Sequence, residues 1–294
     1  MSGRARYHIT HETHYRYSHT VASGRQLAHL TPRVTSWQDV RSHRIEVDPS
    51  PAERADGTDY FGNPVVRFAV DCPHDALLIR AESVVDVESH APAPKDRSPA
   101  WESALAFEDL LAPENDLDLA QYRVSSPMGP VLQEALDYAR PSFDRERPWL
   151  DALMDLTRRI KADFVYDPTA TTVTTPVVEV LGHRHGVCQD FAHLMISCLR
   201  SLGLPARYVS GYVLNSLPAG KERLAGADAS HAWVAAHCPD LGWVAFDPTN
   251  GKLADIEFVT VSWRRDFSDV TPLRGVVLGS GEQELAVRVA VEAI

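Results

Sequence analysis

The stretch from Gly182 to Pro205, GHRHGVCQDFAHLMISCLRSLGLP, constrains this chain most, because it sets a cysteine at the mouth of an apolar helix. Phe191, Leu194, Met195, Cys198, Leu199 and Leu202 recur at steps of three and four, which predicts one buried helix face. Gly203 stops the helix and Pro205 prevents it from resuming. Upstream, Gly182 and Gly186 bracket a His-Arg-His turn, so the helix is expected to begin near Val187 with Cys188 in its first turn. Free backbone N–H groups and the positive end of the helix dipole favour an anion there, and a thiolate is the nucleophilic form of cysteine. A cysteine on such a helix also serves commonly as a small buried hydrophobe, so the helix alone does not decide its role.

Two downstream segments, SHAWV (230–234) and GWVAFDPTN (242–250), alternate as strands do. The turn-rich connection HCPDL (237–241) predicts a hairpin. With that connection as the loop, Ala236 lies opposite Gly242 and His231 opposite Asp247 on the same face. A tighter turn pairing Ala235 with Phe246 would leave the two side chains roughly 10 Å apart along the strand, at ~3.3 Å per residue. Register therefore decides whether a His-Asp pair forms. Cys188, His231 and Asp247 would supply a thiol, a base and an orienting carboxylate, the set that acyl transfer through a thioester needs.

GVCQDFAH, DASHAW and GWVAFDPTN resemble the three motifs of the transglutaminase-like superfamily, separated by 43 residues (188 to 231) and 16 residues (231 to 247). YHITHETHYRYSH, LTPR, VDPSP, DYFGNPVVRF and the tail RRDFSDVTPLRGVVLGSG are similar to the regions flanking that core in a group of bacterial members. The resemblance implies an α+β fold: a papain-like transglutaminase core, in which the cysteine-bearing helix packs on an antiparallel sheet, preceded by an all-β N-terminal domain. It implies Cys188 as nucleophile, His231 as base and Asp247 as orienter. Residues 1–95 are expected to form a β-sandwich-like domain completed by strands within 263–294, with 96–262 as the catalytic domain. The implied activity is thiol-dependent acyl transfer on amide, peptide or isopeptide bonds, as a protease, amidase or transglutaminase-like enzyme. The family label does not fix the reaction. The rival reading is a catalytically silent interaction protein that keeps the fold.

The rest of the chain narrows the alternatives. Of 294 residues 44% are hydrophobic, ample for a core, and the formal charge of −11 argues against a nucleic-acid binder. The start lacks an apolar signal region and no run approaches the ~18 apolar residues of a membrane span. Four cysteines without CxxC spacing, Cys72, Cys188, Cys198 and Cys238, suggest no disulfide framework, and a cytoplasmic protein is expected. Residues 7–90 read as strands over Tyr7–Tyr17, Val40–Val47, Val65–Val70 and Leu77–Val87, forming a sandwich or open barrel. His8, His11, His14 and His19 invite a metal reading, but His8 and His14 face away from His11, which is expected to be a half-buried hydrogen-bonding residue.

Residues 91–100 read as a Pro-rich linker, and Trp101–Leu111 and Glu114–Leu119 as connections. Two helices follow, one opening at Ser126 with Pro127 in its first turn, the other from about Pro148 to Lys161. The Thr-rich stretch Thr169–Thr175 is expected to line a substrate cleft, with Tyr166 or the Cys188 backbone N–H as oxyanion donor. His183, His185, Cys188 and His193 fit no common zinc spacing, and Asp190 is expected to complement the helix dipole. Asn215–Ala229 is a candidate lid, and Trp233 and Trp243 share the strand faces of His231 and Asp247. No DxDxDG calcium loop appears, so no cofactor or metal is expected. The expected partner is a peptide or amide-containing substrate, with no nucleic acid and no membrane. Oligomeric state is not readable from these patterns.

Overall fold

The structure, a computed structural model, describes residues 3–92, 98–105, 119–214 and 230–294. Six strands open the chain: β1 (Arg4–Val21), β2 (Ser23–Ala28), β3 (Gln38–Asp48), β4 (Glu53–Thr58), β5 (Pro64–Val70) and β6 (His74–Glu88). Along β1 the odd positions Tyr7, Ile9, His11 and Thr13 are buried while the even positions are not, the period-two pattern of a sheet with one wet face. Strands β2 and β4 were not visible as alternating runs; SGRQLA carries few apolar residues, and ERADGT is exposed along its whole length at a sheet edge.

The core follows in chain order as β7 (Val165–Tyr166), β8 (His185–Gly186), β9 (Ala206–Val213), β10 (His231–Cys238), β11 (Gly242–Asp247), β12 (Lys252–Leu253) and β13 (Phe258–Arg264), and the tail adds β14 (Leu273–Leu278) and β15 (Gln283–Ala293). Strand order is β15-β1-β6-β3 in one N-terminal sheet, β14-β2-β5-β4 in the other and β12-β11-β10-β9-β13 in the core sheet. The tail strands thus return to pair with β1 and β2. Ala28, Val66 and Phe68 of one N-terminal sheet pack against Ile45, Leu77 and Ile79 of the other, as in a sandwich.

The cysteine helix, Cys188–Ser201, lies against β9 and β10. It is buried on every side from Asp190 to Arg200, not on one face, because a second layer covers its polar side. That layer includes helices Gln133–Ala139 and Trp149–Asp163 and the segment around Ser126–Gly129. Arg200 fastens the layer by donating to the carbonyls of Tyr122, Gly129, Ala206 and Arg265 and to Ser126 Oγ, at 2.7–3.0 Å. This corrects the expected helix start at Ser126. Ser126 and Gly129 exchange backbone hydrogen bonds in a turn, Pro130 follows, and the helix begins only at Gln133.

The N-terminal sheets dock on the core sheet through shared apolar and polar contacts. Tyr7, Ile9, Val85, Val289 and Val291 pack on Tyr212, Val259 and Val261. Gln38 donates to the Thr260 carbonyl at 2.7 Å and accepts the Thr260 N–H at 2.8 Å, completing a strand-like pairing with its side chain. His11 is fully buried at this junction rather than half-buried, bonded to Tyr212 OH at 3.0 Å and Thr13 Oγ1 at 3.1 Å. Burial lowers its pKa to about 4. The expected Asn215–Ala229 excursion, most of 106–119 and part of the 91–100 linker lie outside the described residues.

Candidate active site

Cys188 is the first residue of its helix, preceded by Val187 in an extended conformation. Asp190 folds back on that start: one carboxylate oxygen accepts the Val187 N–H at 2.8 Å and the Thr171 hydroxyl at 2.6 Å. The carboxylate therefore complements the dipole and also ties the Thr-rich loop to the helix entrance. Burial raises the Asp190 pKa against the lowering effect of those two donors. Gly186 is required beside it, since a Cβ there would lie 2.9 Å from an Asp190 carboxylate oxygen. Gln189 donates to the Val173 carbonyl at 3.0 Å, a second tie to the same loop. Tyr166 pairs with Gly186, two residues before the cysteine, and packs partly buried against the core.

The hairpin takes neither expected register. Cys238 lies opposite Gly242 and Val234 opposite Phe246, so Pro239-Asp240-Leu241 forms a three-residue connection closed by Gly242 at φ +67°. In this register Asp247 falls opposite Trp233, and His231 is its diagonal neighbour two residues along on the same face. Diagonal side chains in antiparallel strands remain within reach of long groups. Accordingly His231 Nε2 meets Asp247 Oδ2 at 2.9 Å, with both side chains fully buried. The pair forms through the diagonal, not through direct opposition.

Asp247 is held by more than the histidine. Its Oδ1 accepts the backbone N–H groups of Thr249 at 2.9 Å and Asn250 at 3.3 Å, while Oδ2 accepts Asn250 Nδ2 at 2.6 Å. Asn250 was missed as a site residue, although Asp-Pro-Thr-Asn is a sequence from which an aspartate-centred turn can be read. Burial pushes the Asp247 pKa up, but the His231 charge and these donors hold it below the usual carboxylate range. For His231 burial acts downward, and is outweighed by the charge and hydrogen bond of Asp247 and by Cys188, so its pKa is raised to about 10. With Nε2 engaged, Nδ1 is the ring nitrogen left for the thiol; it is buried without a hydrogen bond of standard geometry. Trp233 stacks on the His231 ring at 6.1 Å and Phe258 lies at the same distance, shielding the pair from water.

The structure therefore brings Cys188, His231 and Asp247 together from a helix start and two strand ends. Cys188 is 9% exposed, leaving the sulfur end of the set the most reachable. His193 takes no part: it accepts the Phe267 N–H at 3.2 Å and lies against Tyr208. His185 lies 3.8 Å from Asp167. His8 pairs with Glu82 at 2.8 Å. Trp243 packs on Tyr122, His237 and Arg207 rather than on the pair. Among the described residues no helix is long and apolar enough to cross a membrane.

Comparison with known proteins identifies the family. Residues 7–86 match the bacterial transglutaminase-like N-terminal region, and residues 137–248 match the transglutaminase-like superfamily core. An uncharacterized protein of Mycobacterium tuberculosis is 42% identical over 295 residues, covering 97% of this chain and 91% of its own. A solved structure from Cytophaga hutchinsonii, named as a candidate cysteine protease, superposes with a TM-score of 0.77 over 100% of this chain and 93% of that one, at 18% identity, which shows a shared fold. A protein-glutamine gamma-glutamyltransferase of Pseudomonas aeruginosa is 37% identical over 94 residues, which are 29% of this chain and 14% of its own. The chain belongs to the transglutaminase-like superfamily, with a papain-like core and the bacterial transglutaminase-like N-terminal region.

Proposed function

We propose that the chain is a thiol-dependent acyltransferase acting on carboxamide or peptide bonds, with Cys188 as nucleophile, His231 as proton carrier and Asp247 as its orienter. The observation that carries this reading is the buried His231–Asp247 hydrogen bond at 2.9 Å, with the free ring nitrogen left for a cysteine at a helix N-terminus. Asp247 fixes the ring and keeps the proton on Nε2, so Nδ1 takes the Cys188 proton. The imidazolium and the first-turn N–H groups then face a sulfur anion, the environment that favours a reactive thiolate.

The thiolate attacks the carbonyl carbon, and the resulting oxyanion is met by the Cys188 backbone N–H. Imidazolium gives its Nδ1 proton to the departing amine or ammonia as the C–N bond breaks, leaving a thioester on Sγ. His231 next takes a proton from water or a primary amine, which attacks the thioester and releases a carboxylic acid or a new amide. Water entry decides between the two products. The similarity to proteins named for protease and glutamyltransferase activities supports the acyl-transfer class.

The test is to incubate the protein with casein and a fluorescent primary amine, following ammonia, new amino termini and amine incorporation together. At least one product should form and vanish in Cys188→Ala with the thermal melt unchanged. Turnover retained in that variant would overturn the proposal.

A further inference from the structure

Among the described residues β15 is an edge strand of its sheet, and its side chains are exposed except at Val289 and Val291. Its hydrogen-bond parity shows which groups the edge offers. Ser18 N–H donates to the Glu282 carbonyl and Ile294 N–H to the Arg6 carbonyl, within a register that pairs His14 with Ala286 and Glu12 with Arg288. Even-numbered residues of β15 therefore bond to β1, and odd-numbered residues point their N–H and C=O groups outward. Those outward backbone groups belong to residues that include Leu285 and Val287, which are 53% and 41% exposed. Natural edges are usually blunted by charge, proline or a bulge at such positions, and here two apolar residues stand in their place.

We propose that β15 pairs antiparallel with β15 of a second copy of this chain, about a two-fold axis at Ala286. This register sets Leu285 opposite the partner's Val287 twice, joining outward backbone groups to outward backbone groups. It also sets Glu284 opposite the partner's Arg288 twice on the other face. Within the described residues Glu284 and Arg288 have no ion-pair partner, and each lines the same shallow surface with His14 and Arg16. An axis at Ala290 would match Arg288 with the partner's Glu292, but it would centre on Val289 and Val291, which are already buried, and leave Leu285 and Val287 in water. An axis at Arg288 would oppose like charges. Charge and burial together select Ala286, joining two four-stranded sheets into one of eight.

The test is light scattering coupled to size exclusion, with cysteine cross-linking. The chain should run at twice its 32.6 kDa, and Leu285→Lys with Val287→Lys should run at the single mass with the melt unchanged. Ala286→Cys in a Cys72→Ser background should form a disulfide-linked dimer on mild oxidation, since facing Cα atoms of a non-hydrogen-bonded pair lie about 4.5 Å apart. Ala290→Cys in that background should not. A single-mass native chain overturns the proposal, and linking by Ala290→Cys in place of Ala286→Cys overturns the register. If the double lysine variant fails to fold, the cysteine pair decides.

Discussion

Asp247→Asn separates the charge of the carboxylate from its shape. The Oδ1 position faces two backbone N–H groups, of Thr249 and Asn250, which cannot change character, so the amide oxygen must take that place. The amide nitrogen then occupies the Oδ2 position, facing His231 Nε2 and Asn250 Nδ2. A flip of Asn250 satisfies one side. His231 satisfies the other only by moving its proton from Nε2 to Nδ1, where it faces Cys188 and can no longer accept the thiol proton. With the carboxylate charge gone, burial is opposed by Cys188 alone, so the histidine falls from about 10. At pH 7.5 the imidazolium is nearly complete in the wild type and becomes tenfold scarcer relative to the neutral ring for each unit that the variant's pKa falls. Nitrogen-15 NMR of labelled histidine, with the His231 signals identified by comparison with His231→Gln, reads both tautomer and titration. The wild type should stay protonated through neutral pH and the variant should show a neutral Nδ1–H ring. An unchanged titration in Asp247→Asn, or a wild-type midpoint near 6.5, would refute the reasoning.

Other consequences concern stability. His11, His43 and His193 are lowered to about 4, chiefly by burial, whereas a free histidine takes its proton near 6.5. The unfolded chain thus binds more protons between those values, so the melting temperature should fall as pH drops from 6.5 to 4, and His11→Gln should lessen that slope. Gly211→Ala places a Cβ onto the Val259 carbonyl oxygen and 2.6 Å from the Trp233 ring that stacks on His231. It should cost about 1–3 kcal/mol or more in denaturant titration and slow Cys188 alkylation as well. Arg200→Leu removes a donor from each of four carbonyls, of which Tyr122 and Gly129 keep a backbone N–H. At roughly 1–3 kcal/mol for each group left dry, the melt should drop sharply with no direct change at Cys188, His231 or Asp247.

How much was legible in the sequence depended on whether the information was local. The cysteine helix could be placed to within a residue because its signals, Gly186, Gly203 and the apolar steps, all lie inside the segment. Its all-round burial could not be read, since the carbonyls that receive Arg200 come from as far as Tyr122 and Arg265. The hairpin shows the same boundary. That His231 and Asp247 share a face, and that they meet on the diagonal, both depend on a three-residue connection that Pro239, Asp240 and Leu241 left ambiguous. Asn250 was readable in principle from its place three residues after Asp247. The Thr171 tie to Asp190 was not, because it spans 19 positions and depends on how the loop lies over the helix entrance.

The central claim is that Cys188 and His231 form an activated pair, and alkylation tests it without knowledge of the substrate. Native protein is treated with iodoacetamide from pH 5 to 9 and followed by intact mass and peptide mapping, beside His231→Ala. A free thiol ionises near pH 8.5, at about its intrinsic pKa. The account predicts modification at Cys188 alone, well below that pH, and slowed by the histidine change. Modification that begins only near that pH and ignores His231, or an inert Cys188, would contradict it.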